Sequence, residues 1–219
     1  MCRADIPKVQ VLRFSDEEFI KLKDVLLVYE WAKRTLLTKL DILNESLKQF
    51  QQKQAIEQIK GRLKSPESIA RKLNRLNHEI TSDNAIAYLK DIAGVRIICP
   101  FAKDIYYLVE LLRTMPELTV LEEKDYVSNP KPSGYRSYHI IIEVPVFYCE
   151  KTTNIPVEIQ IRTEAMNFWS TLEHRAKYQY AGKIPTHLSD ALVMCANQTA
   201  ELDERMFLIH EIVSSINKV

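Results

Sequence analysis

Leu22, Leu26, Tyr29, Leu36, Leu40, Leu43, Leu47 and Phe50 recur at largely three- and four-residue spacing, and this stripe constrains the fold more than any other feature of the chain. Ser15 with Glu18 three residues later fits a capping box, so the spacing predicts one amphipathic helix over 15–52. An apolar face of that length has to be covered, either by its own domain or by another subunit. Residues 1–14, ahead of it, show no period and read as a flexible arm.

Beyond the stripe the pattern changes. Ser65-Pro66 places a good N-cap before a first-turn proline, and Ile69, Leu73 and Leu76 share a face, so a short helix is expected over 66–77. Ile92 to Cys99 is an apolar, β-rich run; 103–114 reads as helix, and 118–127, 138–148 and 155–163 as strands. Residues 164–180 and 185–217 read as helices, with Trp169 and Leu172 facing inward on the first and Leu188, Leu192 and Leu202 on the second. The expected class is α+β: a mixed sheet with one helical crossover, flanked by helices, in a single domain over 15–219 with helical extensions.

With 219 residues, 46% of them hydrophobic, the chain has enough apolar material for a core without disulfides. No apolar run approaches a membrane span of roughly 18 residues, and the first residues lack the apolar stretch of a signal peptide, so a cytoplasmic protein is expected. Cys2, Cys99, Cys149 and Cys195 are far apart, which suggests reduced thiols rather than a disulfide framework or a zinc site. The net charge of +1 excludes a protein coated in basic residues, but not local clusters.

Three of only 4 glycines lie within two residues of an arginine: Gly61-Arg62, Gly94-Val95-Arg96 and Gly134-Tyr135-Arg136. A permissive backbone beside a guanidinium suits phosphate oxygens. Around the first pair, Arg62 and Lys64 approach a helix start while Ser68, Lys72 and Arg75 share a helical face, a fit for polyphosphate or, alternatively, a solvated basic face. Asp91 stands at the mouth of the apolar strand. In 157–163 strict alternation sets Val157, Ile159 and Ile161 against Glu158, Gln160 and Arg162, which is either an ordinary outer face or part of a site. Asp91 and Glu158 together could hold Mg²⁺ with phosphate oxygens and water. Lys131-Pro132-Ser133-Gly134-Tyr135 presents a ring between cations, with His139 beyond, suited to a stacked base and its phosphates or simply to packing. Asn167, Thr171 and His174 offer polar groups along one helical face just after Arg162.

These stretches, in this order, resemble the synthetase domain of the RelA/SpoT homologues, and in particular the short small alarmone synthetases. The resemblance rests on Gly61–Ser68, Asp91–Ile97, Lys131–His139 and Glu158–His174, and spans roughly residues 20–215. It implies a nucleotidyltransferase-like fold, a homotetramer, and transfer of pyrophosphate from ATP to the 3′-hydroxyl of GDP or GTP with release of AMP. On this resemblance ATP meets Arg62, Lys64, Ser68, Lys72, Arg75 and Arg96; Asp91 holds Mg²⁺; and Glu158 activates the hydroxyl and reaches the metal. Tyr135 stacks on guanine, Lys131 and His139 lie near its phosphates, and Gln160, Arg162, Asn167 and His174 complete the acceptor side. His78 is followed by Glu79 rather than by the aspartate of the long relatives' hydrolase motif, and no such domain precedes it, so synthesis without hydrolysis is expected. Control by protein level or small effectors is expected in place of ribosome sensing. Gln58 and Lys60 replace the aromatic and threonine with which one branch binds its product, so the resemblance does not carry product activation across. Ser133 stands where many long relatives have asparagine, which implies one weaker guanine contact. The competing readings are a generic Mg²⁺-dependent nucleotidyltransferase, which would release pyrophosphate, and a non-catalytic single-stranded RNA-binding regulator using Arg62, Lys64, Arg71, Lys72 and Arg75; weak RNA binding is the partner call that goes with them.

Overall fold

The computed structural model describes residues 13–179 and 185–216. Its chain order is α1 (Asp16–Gln51), β1 (Gln58–Leu63), α2 (Pro66–Arg75), α3 (Ser82–Tyr88), β2 (Ala93–Cys99), α4 (Ala102–Thr114), β3 (Thr119–Asp125), β4 (Tyr138–Tyr148), β5 (Lys151–Thr163), α5 (Glu164–Gln179) and α6 (Thr186–Ile216). Five strands form one sheet in the order β1-β2-β5-β4-β3. β2 and β5 run parallel and every other neighbouring pair is antiparallel, which makes the sheet mixed as expected. Among the described residues no helix is long and apolar enough to cross a membrane.

The stripe on α1 is covered by its own domain. Ser15 caps the helix by accepting from the Glu18 amide, and Leu22, Tyr29, Ala32, Leu36, Leu40 and Leu47 are buried across β1, β2, β4 and β5. Phe50 is the exception, at 84% exposure. Each fully buried leucine contributes about 1.5–3 kcal/mol, and truncating Leu36 to Ala should cost about 2–5 kcal/mol with the cavity included. α4 joins α1 in the same core through Ile105, Leu108, Val109 and Leu112, against Val95, Ile97, Val157, Ile159 and Ile161 from the strands. Alternation then forces Arg96, Glu158 and Gln160 onto the opposite face.

Several expectations need correction. Phe14, assigned to the flexible arm, is a core residue at 6% exposure; residues 1–12 of that arm lie outside the described residues. Leu172, Leu188 and Leu202 do not face inward: they are 45%, 43% and 58% exposed, and only Trp169, at 5%, is buried as expected. Leu192 is half-buried. The Gly61-Arg62 segment, given no element in the sequence reading, belongs to an edge strand, and the seven-residue α3 had no counterpart there either. Tyr180 and Asn217, the last residues expected in the two final helices, lie outside the described residues. Cys99, Cys149 and Cys195 are free thiols.

Candidate active site

The strand register assembles the site. Lys60, Arg96, Gln160, His139 and Lys124 occupy one transverse row through all five strands, and Arg62, Gly94, Glu158, Ile141 and Glu122 occupy the next. Side chains in such rows stand on one face at neighbouring-strand distance. Gly94 leaves its place in the second row open, so Arg62 and Glu158 flank a cleft of about 250 Å³ lined by Lys60, Gly61, Arg62, Gly94, Val95, Arg96, Glu158 and Gln160. Residues nearly a hundred positions apart in the chain thus meet because β2 and β5 are parallel neighbours.

Just ahead of β2, outside the cleft's own lining, Asp91 is held by two lysines. Lys64 Nζ donates to its Oδ2 at 2.5 Å and Lys72 Nζ donates to the same oxygen at 2.7 Å. The Lys64 amide continues the β1–β2 ladder by donating to the Ile92 carbonyl at 2.8 Å, which fixes one lysine; α2 brings the other. Burial works to raise the Asp91 pKa, but the two lysines outweigh it and hold the carboxyl below its usual value. Burial also lowers the Lys64 pKa, against the pull of Asp91. Asp91 Oδ1 is buried with no hydrogen-bond partner among the described residues, an acceptor facing nothing that donates.

Glu158 lies at the centre. His139 Nδ1 donates to its Oε1 at 3.1 Å and Gln160 Nε2 to its Oε2 at 2.8 Å. Burial pushes the Glu158 pKa up; the bond and charge of His139, then the Gln160 amide, more than reverse this, so the carboxylate is ionised at neutral pH. Asp91 repels Glu158, and Glu158 also favours the charged form of Lys124, whose main support is Glu122. These groups therefore share one electrostatic site.

Tyr135 connects to the same set. Its Oη lies 2.8 Å from His139 Nε2 and accepts from Arg162 Nη2 at 2.5 Å. Lys131 Nζ sits 5.0 Å from the Tyr135 ring and 4.4 Å from the Tyr126 ring. Arg162 is not an open ligand. At 3% exposure it spends its donors on Ser137, Ser170, Tyr135 and Gln160, so it acts by holding Tyr135 and Gln160. Arg96 is half-buried, with burial and then Arg162 and Arg62 lowering its pKa and its Nε without a partner among the described residues. Glu158 is the carboxylate that partly offsets this crowding of cations.

The remaining expected residues are more dispersed. Ser68 bonds Ser65 and Arg71 at the start of α2, and Arg75 is exposed in its last turn. Asn167, in the first turn of α5, buries its Oδ1 with no donor among the described residues. His174 is exposed two turns farther on and does not line the cleft. Lys124 and Tyr126 were missed from sequence. No glycine–arginine signal marks them; pairing 119–125 with 138–143 in register would have placed Lys124 beside His139.

Residues 61–183 match the family model described as a region found in RelA / SpoT proteins. The chain belongs to the RelA/SpoT family. Among its RelA/SpoT relatives, the GTP pyrophosphokinase YwaC of Bacillus subtilis is 44% identical over 184 residues, covering 84% of this chain and 88% of YwaC. The B. subtilis GTP pyrophosphokinase YjbM is 40% identical over 69% of this chain and 70% of its own length. The fold is likewise similar to the crystal structure of B. subtilis small alarmone synthetase 1 bound to its product pppGpp: the TM-score is 0.81 at 35% identity, over 88% of this chain and 98% of that one. Of the four stretches that carry the RelA/SpoT resemblance, three contribute to the lining of the cleft, and the fourth, Lys131–His139, joins it through the His139–Glu158 bond.

No group of three or more metal-ligating side chains occurs among the described residues. Mg²⁺, however, needs only one or two carboxylates when phosphates and water supply the rest. The unpaired Asp91 Oδ1 and the ionised Glu158 fit that requirement.

Proposed function

We propose that the chain synthesises (p)ppGpp by transferring the pyrophosphoryl group of ATP to the 3′-hydroxyl of GDP or GTP, with release of AMP. The observation that carries the reading is Glu158, an ionised and largely buried carboxylate between arginines that is tied through His139 to the Tyr135 ring. In the reaction the 3′-oxygen bonds to the β-phosphorus of ATP as the bond from that phosphorus to the α,β-bridging oxygen breaks. The electron pair leaves with AMP, and Glu158 Oε accepts the hydroxyl proton. Arg62 and Arg96 offset charge on the triphosphate in the cleft, with Lys64, Lys72, Ser68 and Arg75 on the α2 side. Tyr135 is the platform for guanine; Lys131, His139 and Lys124 serve the acceptor's phosphates, while Gln160 and Arg162 keep Glu158 and Tyr135 in place. Asn167 and His174 are assigned to the acceptor side by family resemblance.

Mg²⁺ belongs to the proposal, held by Asp91 and Glu158. When bound it supplies neutralising charge to the transferred group. The proposal extends to a cytoplasmic homotetramer, which the exposed apolar face of α6 supports, and to synthesis without hydrolysis.

Incubation with ATP and GDP, followed by thin-layer separation, tests the reading. A new guanosine spot together with AMP is expected; pyrophosphate as the sole phosphate product would reject it. Incubation with ppGpp and a divalent metal should leave the alarmone intact.

A further inference from the structure

The reading above uses only the exposed face of α6, yet this helix is also packed against the loop that carries Tyr135. Gly134 has φ +86°, a left-handed conformation, and a Cβ built on it would lie 2.5 Å from Ala196 Cβ, 3.5 Å from Val193 Cα and 3.6 Å from the Trp169 ring. Glycine at this position is thus required twice, by its dihedral and by the helix behind it. The seam between the loop, α5 and α6 encloses only about 10 Å³. Little spare space lies beside the Gly134–Ala196 contact.

Whatever moves Gly134 also moves the acceptor platform. The Gly134 amide donates to the Lys131 carbonyl at 2.8 Å, and the Lys131 amide to the Tyr135 carbonyl at 3.1 Å, so the loop is closed on itself. Just beyond it Arg136 Nη1 donates to the Val127 carbonyl at 2.9 Å. α6 is fixed independently of the loop. Trp169 Nε1 donates to the Leu192 carbonyl at 2.9 Å, Thr163 Oγ1 to Asp203 Oδ2 at 2.7 Å, and Lys103 Nζ to Glu211 Oε1 at 2.6 Å; Phe101 and Phe207 meet edge-on at 5.4 Å. Bulk added at Ala196, which is 4% exposed, therefore pushes the loop rather than the helix.

We infer that Ala196 is a positioning residue for the acceptor nucleotide: α6 sets the height of the 131–135 loop, and with it the place of Lys131 and the Tyr135 ring. The inference rests on the proposed synthetase reading, because it assumes that Tyr135 receives guanine. It does not involve the Arg62–Arg96 cleft, so its effect is selective between the two substrates.

The test is a set of initial-rate measurements on the full chain, varying GDP at saturating ATP and then ATP at saturating GDP. Ala196→Val should raise the KM for GDP about tenfold or more, the scale expected for a displacement approaching 1 Å in a binding group, with the KM for ATP and the kcat at saturation within about twofold. Ala191→Val, at an exposed position of the same helix, should change neither. Should the valine variant be insoluble, Ala196→Ser carries the same test with an expected rise of about threefold. An unchanged KM for GDP, an equal rise in both KM values, or a loss confined to kcat would each overturn the inference. If the wild-type chain makes no guanosine product at all, the synthetase reading fails instead.

Discussion

Glu158 accepts hydrogen bonds from an imidazole on one oxygen and an amide on the other. Replacing it with Gln keeps the shape and removes the base, so synthesis should fall by about 10²-fold or more while nucleotide binding persists; product formation and equilibrium binding measured together check this. The lowered Glu158 pKa fixes the sign of the pH dependence: rate attributable to the charged base is lost as pH falls, at a lower pH than for an unperturbed glutamate. Tyr135 has separable parts. Tyr135→Ala removes the ring and should weaken GDP use by about 1–3 kcal/mol, read as a raised KM. The residue types of this site were legible in the sequence because glycine is scarce and arginine stands beside it. The burial of Arg162 was not, since alternation tells which face a side chain takes but not whether an adjoining helix covers that face.

Helix α3 is tied to α1 by one carboxylate. Glu18 accepts from the Ser82 amide at 2.7 Å and from Ser82 Oγ at 2.8 Å, and also pairs with Lys21. The backbone bond from Ser82, followed by the Lys21 bond, lowers the Glu18 pKa to about 2. A depressed folded-state value means that the stabilisation is fully present above the usual value of 4.5 and is lost as pH falls toward about 2. Thermal unfolding midpoints across that window should drop more for the wild type than for Glu18→Gln; parallel curves would show that the tie contributes nothing. Long or strictly alternating elements, α1 and β5 above all, were readable because their periods are sustained. β1 and α3 were not. β1 is six residues long with only Ile59 and Leu63 partly covered, and α3 has a single turn's worth of buried residues, so neither carries a period strong enough to stand out.

At the scale of the whole molecule, one surface stays unaccounted for by the domain itself. Leu202, Met206, Ile209, Val213 and Ile216 recur along α6 at four- and three-residue intervals, and each is exposed by 49% or more. That spacing suits packing against a second copy. Light scattering on the purified chain should give a mass above the monomer's, and Ile209→Glu with Val213→Glu should return it to the monomer; a monomeric wild type would end the homotetramer proposal.

The sheet also has two borders, and β1 forms one of them. Unpaired backbone at a border invites strands from neighbouring molecules, and lysine or arginine there discourages them. Lys60 and Arg62 line the cleft from that rim, so the charges proposed to meet phosphate also stand where they discourage pairing through the edge. A substitution at either position would therefore be read in two assays at once, aggregation and turnover.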